Sequence, residues 1–242
     1  MPAVPDFMGR RVVINQSDYL PWKGYFDLIH DADLFIFLDD VQFTHRDWRS
    51  RNRIKTPHGL HWLTVPVGGA TDRLINEVPL PMCDWTVKHW ALLRHAYSAC
   101  PFFVQYAPFF ADVFARPRWA TLSALNQFLI KTIARDFLQI QTEFADSSTY
   151  KVEAVKQERI LGLLKAAGGT TYISGPAARS YLDPARFEKE GIELIWKDYS
   201  GYPEYKQPHP PFEHAVSIVD LLFSTGPNAP EYIWGWRIQS SP

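Results

Sequence analysis

The fold is decided by residues 12–55, which read VVINQSDYLPWKGYFDLIHDADLFIFLDDVQFTHRDWRSRNRIK. Two short apolar runs, residues 12–15 and 34–38, each end in polar groups, and a segment with helical spacing at 22–30 lies between them. Such runs are typical of buried strands, and two parallel strands need a crossover helix to join them. The stretch therefore predicts a β-α-β unit of an open α/β sheet, with a ligand site at the carboxyl ends of its strands.

The remainder of the chain continues the α/β pattern. A turn signal at 57–59 and the alternation at 61–65 predict a hairpin, and apolar spacing predicts a helical insert at about residues 84–138. Within that insert, 121–138 is the clearest amphipathic helix. Further strands are predicted at 140–144, 171–174 and 192–196, further helices at 152–166 and 177–181, and a helix or turn at 217–223. We expect a single domain over residues 1–242 with a mostly parallel, Rossmann-like sheet.

Composition excludes several classes of protein. A hydrophobic content of 46% is enough for a sizeable core and argues against disorder. A net charge of -1 gives no general attraction for DNA or anionic membranes. No apolar run approaches the ~18 residues of a membrane helix, and the start MPAVPDFMGRR lacks the apolar core of a signal peptide. Two cysteines, with nothing that indicates secretion, are expected to be free thiols in a cytoplasmic protein.

The first predicted strand ends in a candidate ligand site. Asn15 and Gln16 follow its apolar run, and Tyr19 and Trp22 flank the turn that leads into the helix. The amino end of a helix at this place favours an anion. The alternative is that the two amides only cap the helix and satisfy turn amides.

The second predicted strand ends in two carboxylates, Asp39 and Asp40, with Gln42 close behind. Neighbouring side chains of a strand point to opposite sides, so only one of the two is expected to face the cleft. Asp40 is our candidate to bind a hydroxyl or amine, or to act as a base. The competing interpretation is a pair of solvated turn residues.

A basic and aromatic cluster follows. Alternate residues of an extended segment share one face, which predicts that Arg49, Arg51 and Arg53 lie together. A planar guanidinium suits phosphate or carboxylate, whereas a charge run is also typical of a solvated face. The short patch and the slightly negative chain disfavour a dedicated duplex binder. The candidate ligand contacts of this cluster are Arg46, Trp48, Arg49, Arg51 and Asn52.

Two later segments supply the remaining candidates. Ser174 and Gly175 follow a predicted strand, and the nucleophile-elbow pattern is absent there, so we expect a ligand contact or a cap. The Tyr- and Pro-rich loop 199–209 contributes Tyr205, Gln207 and His209. His209 is a second candidate base because imidazole titrates near neutrality. No metal is expected, since no CxxC or HExxH spacing occurs.

The motifs in their order resemble the WbqC-like family over nearly the whole chain. The resemblance is carried by INQSDYLPWKGYFDLIHDADLFIFLDDVQF, RDWRSRNRIKTPHG, WLTVPV, KQERI, TTYISGPAARSYL, the Tyr205-x-Gln207 element and SIVDLLFSTGP. The family usually has Gln-Pro before the tyrosine, whereas Ser17-Asp18 follows Gln16 here. A differently shaped turn is therefore expected at this point.

The family is often encoded with enzymes that build bacterial surface polysaccharides. The resemblance thus implies an acyl- or aminoacyl-transferase, for example a glycyl-transferase, that acts on the amine of a nucleotide-linked amino sugar or a similar small acceptor. It implies no tightly bound cofactor but an activated acyl donor as cosubstrate, which is a thioester, an adenylate or an aminoacyl-tRNA. An acyl carrier protein or aminoacyl-tRNA is then a candidate partner. In this hypothesis Asp40 or His209 is the base, arginines 46, 49 and 51 hold a phosphate, and Tyr19, Trp22 and Trp48 line the pocket.

Two alternatives stay open. A non-catalytic module for a carrier protein or a nucleotide-linked substrate would use the same arginines and need no base. The opening strand, turn, helix and strand also resemble, distantly, the HxGH nucleotidylyltransferases. Residues 21–25, Pro-Trp-Lys-Gly-Tyr, stand where those enzymes carry their histidine pair. This likeness supports a related Rossmann-like sheet and counts against nucleotidyl transfer by that mechanism.

Overall fold

The computed structural model describes residues 9–115 and 118–239. These residues form two compact units. The first, which we call the sheet unit, comprises residues 9–15, Leu28–Leu38 and Gln141–Asp198. The second, which we call the hairpin unit, comprises Gln16–Asp27, residues 39–115 and 118–140, and residues 199–239.

The described strands and helices follow one another along the chain in an α/β pattern. The strands are β1 (Arg10–Asn15), β2 (Leu34–Phe37), β3 (Arg51–Thr56), β4 (Gly59–Thr64), β5 (Glu143–Asp146), β6 (Gly169–Ser174) and β7 (Glu193–Trp196). The α-helices are α1 (Lys23–His30), α2 (Trp85–Tyr97), α3 (Phe103–Ala115), α4 (Leu122–Thr132), α5 (Lys156–Ala166), α6 (Pro184–Lys189), α7 (Ile218–Thr225) and α8 (Trp236–Gln239).

The sheet unit is built on a five-stranded sheet with the order β5-β2-β1-β6-β7, and all of its pairings are parallel. In the central pair, Val12 lies opposite Leu34 and Asn15 opposite Phe37. Every residue of β2 is buried, as expected for a parallel strand that is covered on both faces. The predicted α/β class with a Rossmann-like, mostly parallel sheet is therefore confirmed.

One face of this sheet packs on a single apolar cluster. Val12 and Ile36 meet Leu161 and Leu164 of α5 there, and Phe187 of α6 joins them. The apolar runs that predicted β1 and β2 supply this core directly. Because consecutive residues point to opposite faces, Val13 and Phe35 lie on the other face of the sheet, where they are also fully buried.

The hairpin unit contains the antiparallel pair β3–β4 and most of the helices. Thr56 pairs with Gly59 across the predicted turn, and Gly59 has a φ of +100°, a conformation that side-chain-bearing residues avoid. Helices α2, α3 and α4 lie in the segment for which a helical insert was predicted. Thr121 caps α4, since its hydroxyl accepts from the amide of Ala124.

Several element boundaries differ from the predictions. The helix predicted to run to residue 138 leaves the α conformation after Thr132 and ends in a π-helical turn, Ile133–Phe137. The strand predicted at 140–144 is β5, which begins three residues later. The short helix predicted at 177–181 is the 3-10 turn Pro176–Ser180.

The described helices are short. None of those in residues 9–115 and 118–239 has the length and apolar character that a membrane crossing requires.

Candidate functional site

In the sheet unit, Asn15 and Ser174 end two neighbouring strands, β1 and β6. Their carbonyl groups extend the sheet, because the Asn15 oxygen accepts from the amide of Leu38 and the Ser174 oxygen accepts from the amide of Lys197. Ser174 is buried and its hydroxyl bonds the side chain of Tyr172. Gly175 follows in an extended conformation. In the described residues, Ser174 is thus a satisfied polar group of the sheet rather than an exposed nucleophile.

The hairpin unit contains a cavity of about 300 Å³. An aromatic-walled cavity with a few polar groups is the usual form of a small-molecule site. Three of the predicted ligand residues contribute to it, namely Trp22, Trp48 and Asn52. The complete described lining is Asp18, Pro21, Trp22, Trp48, Asn52 and Ala215.

Asp18 is the acidic group of this cavity. Burial is the main cause that raises its pKa from 3.8 to about 7, and the negative charges of Asp47 and Asp39 act in the same direction. The positive charge of Arg49 opposes this shift. Within the described residues, no group donates a hydrogen bond to the Asp18 carboxylate. A carboxyl group with a pKa near 7 exchanges its proton readily at neutral pH, which suits a general acid or base.

The backbone on both sides of Asp18 is fixed by hydrogen bonds from distant segments. The amide of Ser17 donates to Oδ1 of Asp39 at 2.8 Å, and the amide of Tyr19 donates to the carbonyl of Trp48 at 2.9 Å. The backbone that carries Asp18 is therefore held in place rather than part of a loose loop. Fixed positions of this kind favour catalysis because no reorganisation is needed during the reaction.

The turn that follows Asp18 is strained. Leu20 has a φ of +42°, which is uncommon for any residue other than glycine. Its carbonyl accepts from Nδ2 of Asn52 at 2.9 Å, and the same nitrogen donates to the carbonyl of Tyr19. Asn52 thus stabilises the turn that carries Asp18 and Trp22 to the cavity. Strained backbone of this kind clusters at ligand sites.

The two carboxylates that follow β2 have different roles from those expected. Asp39 is buried and accepts from the Ser17 amide, from the hydroxyl of Ser123 in a short bond, and from Nε2 of Gln127 at 3.1 Å. Asp39 therefore anchors the loop that carries Asp18. Asp40, the predicted base, is partly exposed and does not belong to the described lining of the cavity.

The arginines do not form the single face that was predicted. Arg46 lies in an exposed turn with a φ of +56°. Arg49 precedes β3 and forms an ion pair with Asp47. Only Arg51 and Arg53 share a face of β3, because the strand begins at Arg51. Arg49 lies outside the strand, so the alternation of side chains along β3 does not include it.

Two residues of the loop 199–209 bind a buried carboxylate. The hydroxyl of Tyr205 donates to Asp220 at 2.7 Å, and Nε2 of Gln207 donates to it at 2.9 Å. The hydroxyl of Tyr97 donates to the other oxygen of Asp220 at 2.9 Å. His209, the second candidate base, has its Nε2 against the carbonyl of Ala96 at 3.0 Å. None of these residues belongs to the described lining of the cavity.

The remaining predicted residues are also placed away from the cavity wall. Tyr19 is fully buried, and its hydroxyl bonds Nδ1 of His89 at 2.8 Å. The carbonyl of Gln16 accepts from the hydroxyl of Tyr25. Gln42 is exposed and donates to the carbonyl of Thr71. The described bonds of these residues serve the local structure.

Comparisons with known proteins agree with the family resemblance of the sequence motifs. The model of the WbqC-like protein family matches residues 16–232. An uncharacterized protein of Mycobacterium tuberculosis (strain ATCC 25618 / H37Rv), Rv1507c, is 45% identical over 226 residues, which are 93% of this chain and 97% of that protein. The chain belongs to the WbqC-like protein family. No solved structure matches it.

Sequence reasoning missed Asp18 as a site residue, and with it Pro21 and Ala215. Ala215 carries no chemical signature, and only its packing brings it to the cavity.

Proposed function

We propose that the protein transfers an acyl or aminoacyl group to the amine of a nucleotide-linked amino sugar or a similar small acceptor. The reaction would take place in the cavity of the hairpin unit, with Asp18 as the base. The observation that carries this proposal is a carboxyl group with a pKa of about 7 in an aromatic-walled cavity. A base must have a pKa near the working pH to accept a proton and to return it.

The chemistry needs one proton transfer in each direction. The acceptor amine attacks the carbonyl carbon of the activated donor, and Asp18 takes the proton that the nitrogen loses. The tetrahedral intermediate then expels the leaving group, which is a thiolate, an adenylate or the ribose oxygen of a transfer RNA. Asp18 returns its proton to a leaving thiolate or ribose oxygen, so the enzyme ends in its starting state. An adenylate leaves as an anion that needs no proton, and Asp18 then releases the proton to water.

We assign the base to Asp18 rather than to Asp40 or His209 because only Asp18 lines the cavity among these three residues. The Nε2 atom of His209 is engaged with a backbone carbonyl. The indole rings of Trp22 and Trp48 would hold the acceptor ring by apolar contact, since sugar rings present apolar faces to aromatic side chains.

The proposal is tested by transfer to amino-sugar nucleotides from a set of donors that contains glycyl thioester, glycyl adenylate and glycyl-tRNA. Mass spectrometry measures the acylated product. We expect Asp18→Asn to lower the rate by about 10²–10⁴-fold, which is the usual contribution of a general base. Asp40→Asn is the matched control and should retain turnover near that of the unmodified protein. Normal turnover by Asp18→Asn would overturn the assignment, and absence of turnover with every donor would favour a binding module.

A further inference from the structure

The outward face of the β3–β4 hairpin joins two arginines to two tryptophans. Arg53 lies directly opposite Trp62 in the strand pairing, and both Arg51 and Arg53 approach the Trp62 ring. The Arg51 guanidinium lies 4.2 Å from the ring centroid and that of Arg53 lies 5.7 Å from it. The ring of Trp48 lies 5.6 Å from that of Trp62 at an angle of 36°. We call these four residues the Trp–Arg platform.

The platform is unusually exposed for its composition. Trp48 is 43% exposed and Trp62 is 40% exposed, although side chains of this size are mostly well buried. Trp48 also lines the cavity that contains Asp18. The platform therefore begins at the cavity and continues over the surface of the hairpin.

The two guanidinium groups of the platform retain binding capacity. No carboxylate of a described residue forms an ion pair with Arg51 or Arg53. One nitrogen of Arg53 donates to the carbonyl of Ala215 at 2.9 Å, which fixes its guanidinium beside the cavity lining. Uncompensated guanidinium groups beside aromatic rings are suited to a ligand that is both planar and anionic.

We propose that the Trp–Arg platform binds the nucleotide part of a small-molecule substrate. The base stacks on the exposed tryptophan surface, Arg51 and Arg53 pair with the phosphates, and the reacting end enters the cavity. The volume of the cavity is consistent with a nucleotide bound on the platform and only the reacting end inside the cavity. Its volume of about 300 Å³ is at the lower limit of common ligand pockets. A sugar-sized group fits there, and a whole nucleotide-sugar does not.

Two sources share this chemistry. The nucleotide belongs either to the acceptor, as in a nucleoside diphosphate sugar, or to the donor, as in coenzyme A. A single-stranded nucleic acid is less suited to the platform, because two arginines and a net charge of -1 supply few phosphate contacts. The position of the reacting end rests on the proposed function, whereas nucleotide binding itself can be measured without turnover.

The test is isothermal titration of the full-length protein with UDP, GDP and coenzyme A, and with inorganic pyrophosphate and an RNA hexamer as comparisons. We expect at least one of the three nucleotides to bind more tightly than pyrophosphate. Trp62→Leu should weaken that binding about 5- to 100-fold, the range observed for loss of a stacking aromatic ring. Arg51→Gln should weaken it about 10-fold, as expected for one charged phosphate contact.

Arg179→Gln is the matched control, because the Arg179 guanidinium lies 5.3 Å from the ring centroid of Trp196 in the sheet unit. It should leave nucleotide affinity unchanged. Preference for UDP or GDP assigns the platform to the acceptor, and preference for coenzyme A assigns it to the donor. Equal affinity of the Trp62→Leu variant and the unmodified protein, or tighter binding of RNA than of every mononucleotide, would overturn the proposal.

The same titration separates this proposal from the proposed function. Asp18→Asn should bind the nucleotide normally, since Asp18 does not belong to the platform. If nucleotide binding depends on Trp62 but Asp18→Asn retains full transfer, the platform proposal stands and the role of Asp18 as the base is refuted. If transfer depends on Asp18 but Trp62→Leu does not change nucleotide affinity, the role of Asp18 stands and the platform proposal is refuted.

Discussion

The indole of Trp22 lies against Gly24 so closely that a Cβ atom on Gly24 would come within 2.3 Å of Cζ2 of the ring. The ring also makes edge contacts with Tyr199 and Tyr202, at centroid distances of 5.1 and 6.1 Å. Gly24 occupies the second position of α1, where a glycine is otherwise unfavourable by about 1 kcal/mol relative to alanine. The absence of a side chain at Gly24 is what seats Trp22 at the cavity.

Gly24→Ala should therefore displace Trp22 and alter the cavity, despite the better helix propensity of alanine. We expect weaker acceptor binding, seen as a higher KM for the acceptor. Gly162, on α5 of the sheet unit, provides the matched control, because Gly162→Ala places a Cβ 2.7 Å from a methyl group of Val152. That variant should change thermal stability without changing KM. Equal KM values for both variants would show that Trp22 does not position the acceptor.

The raised pKa of Asp18 links activity to stability. Because the pKa is about 7 in the folded chain and near 3.8 when unfolded, the folded state binds a proton that the unfolded state releases between these values. The stability contribution of Asp18 is thus present below pH 4 and is lost as the pH rises through 7. The transfer reaction needs the ionised form of Asp18, so its rate should increase as the pH rises over the same interval.

Asp18→Asn separates these two effects. We expect it to raise the melting temperature at pH 8 and to leave it almost unchanged at pH 4, while transfer is lost. Calorimetry at both pH values measures the first effect, and the pH profile of kcat/KM measures the second. A melting temperature that shifts equally at both pH values would contradict the raised pKa.

The strands were predictable from the sequence because a parallel strand that is buried on both faces is a nearly continuous apolar run. Residues 12–15 and 34–38 have this property, and they became β1 and β2. The hairpin was predictable for a similar local reason, since its turn lies at Pro57-His58 and Gly59. Patterns of this kind depend only on neighbours in the chain.

The site was less predictable because its side chains are selected by distant partners. Asp39 and Asp40 are adjacent and chemically identical, and they are distinguished by contacts such as that of Asp39 with Ser123, 84 positions away. Tyr205 is held by Asp220, which also bonds Tyr97 from 123 positions away. Such partners leave no periodicity in the sequence. The pKa of Asp18 also depends on residues outside its own turn, since it is set by burial and by Arg49, Asp47 and Asp39 together.

Asp39→Ala should destabilise the hairpin unit strongly. It would leave the Ser17 amide and the side chains of Ser123 and Gln127 without their acceptor, and each buried unsatisfied donor costs about 1–3 kcal/mol. We expect a loss of at least about 3 kcal/mol in urea unfolding. Ser123→Ala removes one of these donors and should cost about 1 kcal/mol. A smaller loss for Asp39→Ala than for Ser123→Ala would mean that Asp39 does not anchor the Asp18 loop.

Tyr205→Phe distinguishes a structural role from a ligand contact. Its hydroxyl is one of three donors to Asp220, whose pKa is raised by burial and held down by the bonds from Tyr205, Tyr97 and Gln207. Loss of one donor should cost about 1–3 kcal/mol, with a larger loss at high pH because the ionised carboxylate needs the donors most. Tyr97→Phe should lower the stability by a similar amount. A change in KM for either substrate without a change in stability would instead restore Tyr205 as a substrate contact.

The ion pair of Lys197 and Asp31 should determine the acid stability of the sheet unit. Lys197 is buried and its Nζ lies 2.5 Å from Asp31. Burial alone would raise the pKa of Asp31, but hydrogen bonds from His30 and Lys197 outweigh it and lower the pKa to about 2. A depressed pKa gives stability that is present above about pH 4 and is lost as the pH falls towards 2.

Asp31→Asn should remove this acid-dependent contribution and cost about 2 kcal/mol at pH 7, because the buried ammonium loses its charged partner. At pH 2.5 the difference from the unmodified protein should be much smaller. Asp84→Asn is the control, since the Lys88–Asp84 pair is exposed on both sides and such pairs contribute about 0–1 kcal/mol. Urea unfolding followed by circular dichroism at both pH values measures the difference in the free energy of unfolding. If Asp31→Asn lowers this free energy equally at both pH values, the Lys197–Asp31 pair is not the source of the acid sensitivity.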